Sequence, residues 1–343
     1  MYNPKNVLIT GGSGFIGSNV LIYLVKKYPN INFINLDILD YCACQENLSD
    51  IQSLHNYKFI HGDICDANLI NFILTEKNVD TIMHFAAQTH VCNSFGNSFT
   101  FTQTNVMGTH VLLECAKNYG QVNKFIHVST DEVVGEDLYN VAMNENAKMN
   151  PSNPYAASKA GAELLVKSYY DSFKLPIIIS RGNNVYGHHQ YPEKMIPKFI
   201  NQLMRGQRIT IHGNGKNLRN FLHCEDVARA FETLLFKGVI GEIYNIGGSN
   251  EFQNITVAHK ILDLLWKDIE NKCDKNKDSM IMFVEDRNFN DFRYNITSEK
   301  LKLLGWKEEV GFEDGLKKTI EWYKQYGHRY ENIENALKAH PTI

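Results

Sequence analysis

The chain has 343 residues, 43% apolar and 21% charged, with 35 basic against 38 acidic side chains and a formal charge of -3. That composition supports a folded chain with core enough for two lobes and excludes a disordered or fibrous polymer. No charge excess is present to hold a nucleic acid or an anionic bilayer, so neither is expected as a partner.

Apolar runs such as 175–179 fall far short of a membrane span, and the first residues lead directly into Val7–Ile9 without a basic and apolar leader. A cytoplasmic location is expected. The seven cysteines, Cys42, Cys44, Cys65, Cys92, Cys115, Cys224 and Cys273, are odd in number and lack CxxC or His/Cys ligand spacing. Neither a disulfide framework nor a metal site is expected from that pattern.

Short β-rich runs at Val7–Thr10, Phe33–Asp37, Lys58–Gly62, Thr81–Phe85, Phe125–Ser129 and Ile177–Arg181 alternate with amphipathic stretches. Apolar residues recur at helical spacing in Phe15, Ile16, Val20, Leu21, Leu24 and Val25, and again through Val111, Leu112, Leu113, Cys115 and Ala116. Strands alternating with helices predict an α/β fold, a Rossmann-type doubly wound parallel sheet. From about residue 182 the rhythm loosens into turns at 187–190 and 212–216, a strand at Ile243–Ile246, and helices near 256–270 and 313–326. The expected division is a dinucleotide-binding domain over 1–181, with a strand at 241–248 returning to it, a smaller α/β substrate lobe over 182–330, and a tail over 331–343. The lysine-rich segment 267–277 reads as a solvated helix end or loop.

The first strand runs into Gly11-Gly-Ser-Gly-Phe-Ile-Gly17, which opens an amphipathic helix. Glycines there permit a tight turn, close approach of a pyrophosphate, and packing of the helix on the strand. Asp37 ends the second strand 20 residues beyond Gly17, where a carboxylate accepts hydrogen bonds from ribose hydroxyls and repels a 2′-phosphate. NAD is therefore expected rather than NADP. Asp63 and Ile64 end the third strand, and Phe85, Ala86 and Ala87 end the fourth, on the same carboxyl edge.

Tyr155 and Lys159 lie four residues apart on one face of a helix that Pro154 can start. A neighbouring ammonium and a cationic nicotinamide are expected to lower the phenol so that it takes a proton from a sugar hydroxyl. Ser129-Thr-Asp-Glu132 adds two carboxyl groups beside the hydroxyl of Thr130. An acid and a base in different protonation states fit removal of a C5 proton and of a C6 hydroxyl from a 4-keto sugar. The plain alternative is that Asp131 and Glu132 cap the following turn or pair with surface lysines.

These residues resemble the extended short-chain dehydrogenase/reductases, and within them the nucleotide-sugar 4,6-dehydratases. The likeness runs through GGSGFIGS at 11–18, HFAAQTHV at 84–91, STDEV at 129–133, YAASK at 155–159, NNVYG at 183–187, PEKMIP at 192–197, YNIGG at 244–248 and LGW at 304–306. It implies that Thr130 contacts the C4 hydroxyl, Asp131 donates a proton to the C6 oxygen, Glu132 takes the C5 proton, and Tyr155 with Lys159 serves the oxidation. It further implies a cofactor site including Gly11, Gly14, Phe15, Ile16, Gly17 and Thr104, and substrate contacts from Thr89, Asn184, Lys194, Met195, His212, Arg219, Asn254, Arg287 and Asn290. NSFGNSF at 93–99, LHCEDVARAF at 222–231 and DRNFNDFRY at 286–294 look closer to the UDP-glucose 4,6-dehydratase domain of plant-type UDP-rhamnose synthases than to dTDP-glucose 4,6-dehydratases.

Two departures from the family pattern are Val134, where Tyr is common, and Cys92, where Asp is common; Cys92 reads as a packed thiol. The resemblance also implies a homodimer built on helices near 105–118 and 155–172, and a product consumed by a 3,5-epimerase and 4-reductase. Rival readings are a 4-epimerase or decarboxylase of the same fold and a noncatalytic NAD-binding scaffold.

Overall fold

A computed structural model describes residues 2–137, 141–272, 276–286, 290–330 and 333–339. The strands are β1 (Asn6–Thr10), β2 (Asn32–Asp37), β3 (Tyr57–His61), β4 (Thr81–His84), β5 (Lys124–Thr130), β6 (Ile177–Gly182), β7 (Asn184–Tyr186), β8 (Ile209–His212), β9 (Leu218–His223), β10 (Ile243–Ile246), β11 (Asn250–Gln253) and β12 (Ile281–Val284). A seven-stranded sheet in the order β10-β6-β5-β4-β1-β2-β3 has all its neighbours parallel. Successive strands are added on one side of β1 as β2 and β3 and then on the other as β4, β5 and β6, and the carboxyl ends of β1 and β4 at that switch form the crevice in which such sheets take ligands. The six strands expected from sequence are present within a residue or two, and Ile243–Ile246 joins the sheet beside β6.

Helices cover both faces. Helix α1 (Phe15–Lys27) buries Leu21, Leu24 and Val25 in one cluster with Val227, Phe231 and Leu234 of the helix Cys224–Lys237. At roughly 1.5–3 kcal/mol for each large apolar side chain enclosed, this layer is a main source of the sheet's stability. Helix α2 (Ala67–Glu76) starts at Asp66, whose carboxylate accepts from the N–H groups of Asn68 and Leu69 at 3.0 and 3.1 Å. The second lobe carries its own core, in which Ile200, Leu203, Ile261, Leu265, Leu316 and Ile320 pack together. It also holds two small sheets, β11-β9-β7 and β12-β8. Among the described residues no helix is long and apolar enough to cross a membrane.

Two internal devices position the site. The helical rod 98–119 passes through a π-helical stretch at Thr102–Gly108, where Asn105 is buried. Its side chain accepts from Gln88 N–H at 2.8 Å and donates to the Gln88 carbonyl at 3.0 Å and to Ser158 Oγ at 2.8 Å. The second device is a buried ion pair from β6 to the helix Pro154–Phe173, with Arg181 Nη2 at 2.5 Å and Nε at 3.1 Å from Glu163 Oε1. Burial makes each partner depend on the other, because an unpaired charge there has no water to solvate it. Glu163→Gln is expected to lower unfolding free energy by about 3–5 kcal/mol. Urea denaturation of the variant checks this; a midpoint equal to wild type would contradict it.

Candidate active site

The glycine turn has the shape of an anion cradle. Gly11 takes φ +70°, and a Cβ there would sit 2.5 Å from Ala86 N; a Cβ on Gly17 would sit 2.2 Å from the Gly11 carbonyl oxygen. Gly14, by contrast, borders open space, its nearest protein atom being the Gly11 oxygen at 3.4 Å from a built Cβ. The turn is therefore crowded where strand and helix meet and vacant of side chains where α1 presents its first N–H groups. Asp37 accepts from Ser13 N–H through Oδ2 and from Leu39 N–H through Oδ1, both at 2.8 Å, leaving further lone pairs for ribose hydroxyls. Burial pushes this carboxyl up, and the two backbone donors oppose that. Ile64 is buried, Asp63 is exposed and accepts from Cys65 N–H at 2.9 Å, and Phe85, Ala86, Ala87 and Thr104 are half-buried. These residues fit a dinucleotide lying across the carboxyl edge.

The groups expected to react gather where β5 ends. Thr130 caps the turn Asp131–Val134 by accepting from Glu132 N–H at 3.3 Å, so both carboxyl groups follow directly on the end of β5. Asp131 is buried, accepting from Thr130 Oγ1 at 3.2 Å and from Asn183 Nδ2 at 2.6 Å. Burial, then the neighbouring Glu132, pushes its pKa up to about 7. Glu132 lines the cavity and accepts from Asn153 Nδ2 at 3.1 Å. Its carboxyl is also raised by burial, but Asn153 and the charges of Lys194 and Arg219 pull it down. The two neighbours thus occupy different environments, one enclosed and one facing the cleft.

Tyr155 is near the start of the helix Pro154–Phe173, which Asn153 caps by accepting from Ala156 N–H at 2.9 Å. The nearby Thr130 hydroxyl favours the ionised form of the Tyr155 phenol. Lys159 donates to the Val128 carbonyl at 2.7 Å, and burial lowers its ammonium to about 8. The expected lowering of the phenol by the lysine is not what the chain alone provides. Burial, then the charges of Glu132 and Asp131, raise Tyr155 instead, while the ammonium donates to the β5 backbone.

A cavity of about 200 Å³ adjoins this cluster, lined by Glu132, Asn184, Lys194, Met195, Arg219, Asn254 and Asn290 among others. A second of about 110 Å³ shares Met195, Asn254 and Asn290 with it and adds Cys92 and His212. Asn254 Oδ1 is buried without a protein hydrogen-bond partner, a feature suited to a bound polar group. Arg219 spans the carbonyls of Leu218, Asp291 and Phe292 at 2.7–3.1 Å, and Lys194 donates to the Thr89 carbonyl at 2.8 Å. Thr89 is exposed and does not line either cavity, His212 contacts the Ala339 carbonyl at 2.8 Å, and Arg287 lies outside the described residues. Val134 is packed with Val133, Ala160 and Ile296.

Asn153 and Asn183, which hold the two carboxyl groups, were not anticipated from sequence, nor were Glu193 and Tyr294 in the cavity wall. A signal existed for Asn153, since Asn before Pro marks a helix start. Nothing in the chain pattern separates Asn183 from its neighbour Asn184.

The sequence profile of the family described as GDP-mannose 4,6 dehydratase matches residues 8–319. The Arabidopsis thaliana trifunctional UDP-glucose 4,6-dehydratase/UDP-4-keto-6-deoxy-D-glucose 3,5-epimerase/UDP-4-keto-L-rhamnose-reductase RHM2 is 53% identical over 344 residues, covering 100% of this chain and 50% of that protein. The Homo sapiens dTDP-D-glucose 4,6-dehydratase is 48% identical over 338 residues, 98% of this chain and 95% of that protein. Among solved structures, DesIV (dTDP-glucose 4,6-dehydratase) from Streptomyces venezuelae, with NAD bound, matches with TM-score 0.89 at 38% identity, covering 96% of this chain and 100% of that one. The chain spans about half the length of the trifunctional plant relatives it matches.

Asp131 holds its proton to about pH 7 when folded, against an ordinary value of 3.8. Between these limits the folded chain binds more protons than the unfolded one, so this group makes stability fall as pH rises through that window. Asp131→Asn should remove that component. Urea midpoints measured from about pH 4 to pH 8 are expected to decline less in the variant than in wild type; parallel curves would argue against the assignment.

Proposed function

Because the chain belongs to the GDP-mannose 4,6 dehydratase family, we propose that it is an NAD-dependent UDP-glucose 4,6-dehydratase, forming UDP-4-keto-6-deoxyglucose and water. The observation that carries this reading is the pair of adjacent carboxyl groups in unlike environments, one beside Asn183 and the other beside Asn153, both close enough to Tyr155 for their charges to act on its phenol. When bound, NAD supplies a reversible acceptor for the hydrogen and electron pair lost at C4 and regained at C6. Gly11, Gly14, Gly17 and Asp37 are the residues that would hold it.

Tyr155 takes the proton of the C4 hydroxyl, which the Thr130 hydroxyl orients. Protonation of Asp131 removes one of the two negative charges that hold the phenol up. The resulting C4 ketone makes the C5 proton acidic, and the ionised Glu132, facing the cavity, removes it. Asp131 gives its proton to the C6 oxygen, so that this oxygen leaves as water. Glu132 then returns a proton to C5. An Asp131 near 7 is suited to the donor role, since a general acid works best with a pKa near the working pH.

The choice of UDP-glucose is supported by the 53% identity to the plant dehydratase and by the motifs at 93–99 and 222–231. dTDP-glucose is the second reading, supported by relatives of 48% identity. The bases differ by a methyl group, worth roughly 1–3 kcal/mol in a fitted pocket. A 4-epimerase has no use for the Asp131–Glu132 pair, and a noncatalytic scaffold has no need of Thr130, Tyr155 and Lys159 together. The product would be consumed by 3,5-epimerase and 4-reductase activities. A homodimer is supported by the exposed Phe99, Met107 and Leu164 on the helices 98–119 and 154–173.

Incubation with UDP-glucose bearing deuterium at C4 is expected to yield product with the label in the C6 methyl, and side-by-side turnover should favour UDP-glucose over dTDP-glucose. A label that stays at C4 or washes out would defeat the reading. Glu132→Gln should lower kcat by about 10²–10⁴-fold and slow exchange of the C5 proton with solvent. Light scattering should report a dimer that Leu164→Glu shifts toward monomer; a monomeric wild type would remove the dimer proposal.

A further inference from the structure

Away from the cleft, three metal-ligating side chains converge from separate segments. His188 follows β7, His223 ends β9, and Cys224 opens the helix Cys224–Lys237. Cys224 Sγ lies 3.6 and 3.8 Å from the two ring nitrogens of His188 and 4.0 Å from His223 Nε2. One candidate ligand atom from each residue falls within 4.8 Å of the others. A tetrahedral ion bonded at roughly 2.3 Å to sulfur and 2.1 Å to nitrogen holds such ligands about 3.6 Å apart, a spacing that Cys224 and His188 already have and that Cys224 and His223 exceed slightly. Room for the sulfur depends on Gly187, where a Cβ would stand 2.3 Å from Cys224 Sγ and 3.4 Å from His223 Nε2.

We propose that His188, His223 and Cys224 form a zinc-binding site distinct from the catalytic cleft, with three protein ligands and a water in the fourth position. Two imidazoles and a thiolate are a borderline-soft donor set, which selects zinc over magnesium or calcium. Binding breaks the Cys224 S–H bond, releases that proton to solvent and forms the metal–sulfur bond, with no change of oxidation state. His223 Nδ1 now accepts from Glu225 N–H at a long 3.4 Å, which turns Nε2 toward the sulfur. With zinc on Nε2 the ring proton moves to Nδ1 and that contact is given up. His188 is half-buried, and either ring nitrogen is near enough to the sulfur to serve as the ligand after a rotation of the ring.

The surroundings point to a structural clip. The His188 carbonyl accepts from Asn19 Nδ2 at 3.1 Å, and His189 Nδ1 is 2.9 Å from Ser18 Oγ. Both partners lie on α1, the helix that the glycine turn opens. An ion at this point joins the ends of β7 and β9 to the dinucleotide half. The chain pattern hid the set, because 35 residues separate His188 from His223 and no short ligand motif links them.

The competing arrangement is a thiol hydrogen-bonded to imidazole with no metal. Full-length protein stripped with a chelator and titrated with cobalt(II) is expected to develop, at one equivalent, a thiolate-to-cobalt charge-transfer band and tetrahedral visible bands, both displaced by zinc. Zinc should raise the apo-protein's melting temperature. Cys224→Ser should lose the charge-transfer band, and His188→Gln, at the less buried position, should weaken cobalt binding by at least ~10-fold. Absence of the band in wild type, its persistence in Cys224→Ser, or unchanged affinity in His188→Gln would each overturn the site. These readouts do not depend on turnover, so they stand apart from the dehydratase reading.

Discussion

The structure depends on the crowding of three acidic groups at the end of one buried strand. Burial raises the cost of ionising all three; Glu132 adds to it at Asp131, and both carboxyl groups add to it at Tyr155. The fold relieves the crowding unequally. Asp131 is enclosed between a hydroxyl and a fixed amide, whereas Glu132 faces the cleft and the charges of Lys194 and Arg219. Burial raises both carboxyl groups, and at Glu132 the Asn153 amide and the charge of Lys194 oppose it, so the two differ in surroundings without any difference in their intrinsic chemistry.

The asparagines that hold this arrangement belong to different parts of the chain. Asn153 serves as helix cap with its carbonyl oxygen and as carboxylate donor with its amide nitrogen. Asn183 accepts from Gly248 N–H at 3.2 Å through Oδ1, which fixes its nitrogen on Asp131. Beneath them the Arg181–Glu163 pair ties β6 to the helix that carries Tyr155. The acid-base cluster is consequently attached to regular secondary structure on both sides, while the lobe that borders the cavity contributes longer, more adjustable side chains such as Lys194 and Arg219.

Much of this was legible in the sequence because the relevant signals are local. The strand-turn-helix at 7–27, Asp37 at a strand end, and the neighbouring Asp131 and Glu132 announce themselves over a few residues. The helix Cys224–Lys237, not among the expected elements, carries Val227, Phe231, Leu234 and Leu235 at helical spacing, a local signal of the same kind. The small sheets of the second lobe have strands of three to six residues, too short for a period to emerge. Lys159 donates to a backbone carbonyl and Arg219 to three, besides Asn290 Oδ1, and no side-chain pattern encodes where a carbonyl will face.

The π-helical stretch at Thr102–Gly108 has a mechanical meaning. An ordinary helix would carry a single unbroken stripe from end to end, but the wider turns offset the residues before Gly108 from those after it. Asn105 can then grip the Gln88 loop while Leu112 and Leu113 stay seated in the sheet core. The rod works as a phase shifter between two incompatible alignments, and shortening it by one residue would force it to surrender either the loop or the core.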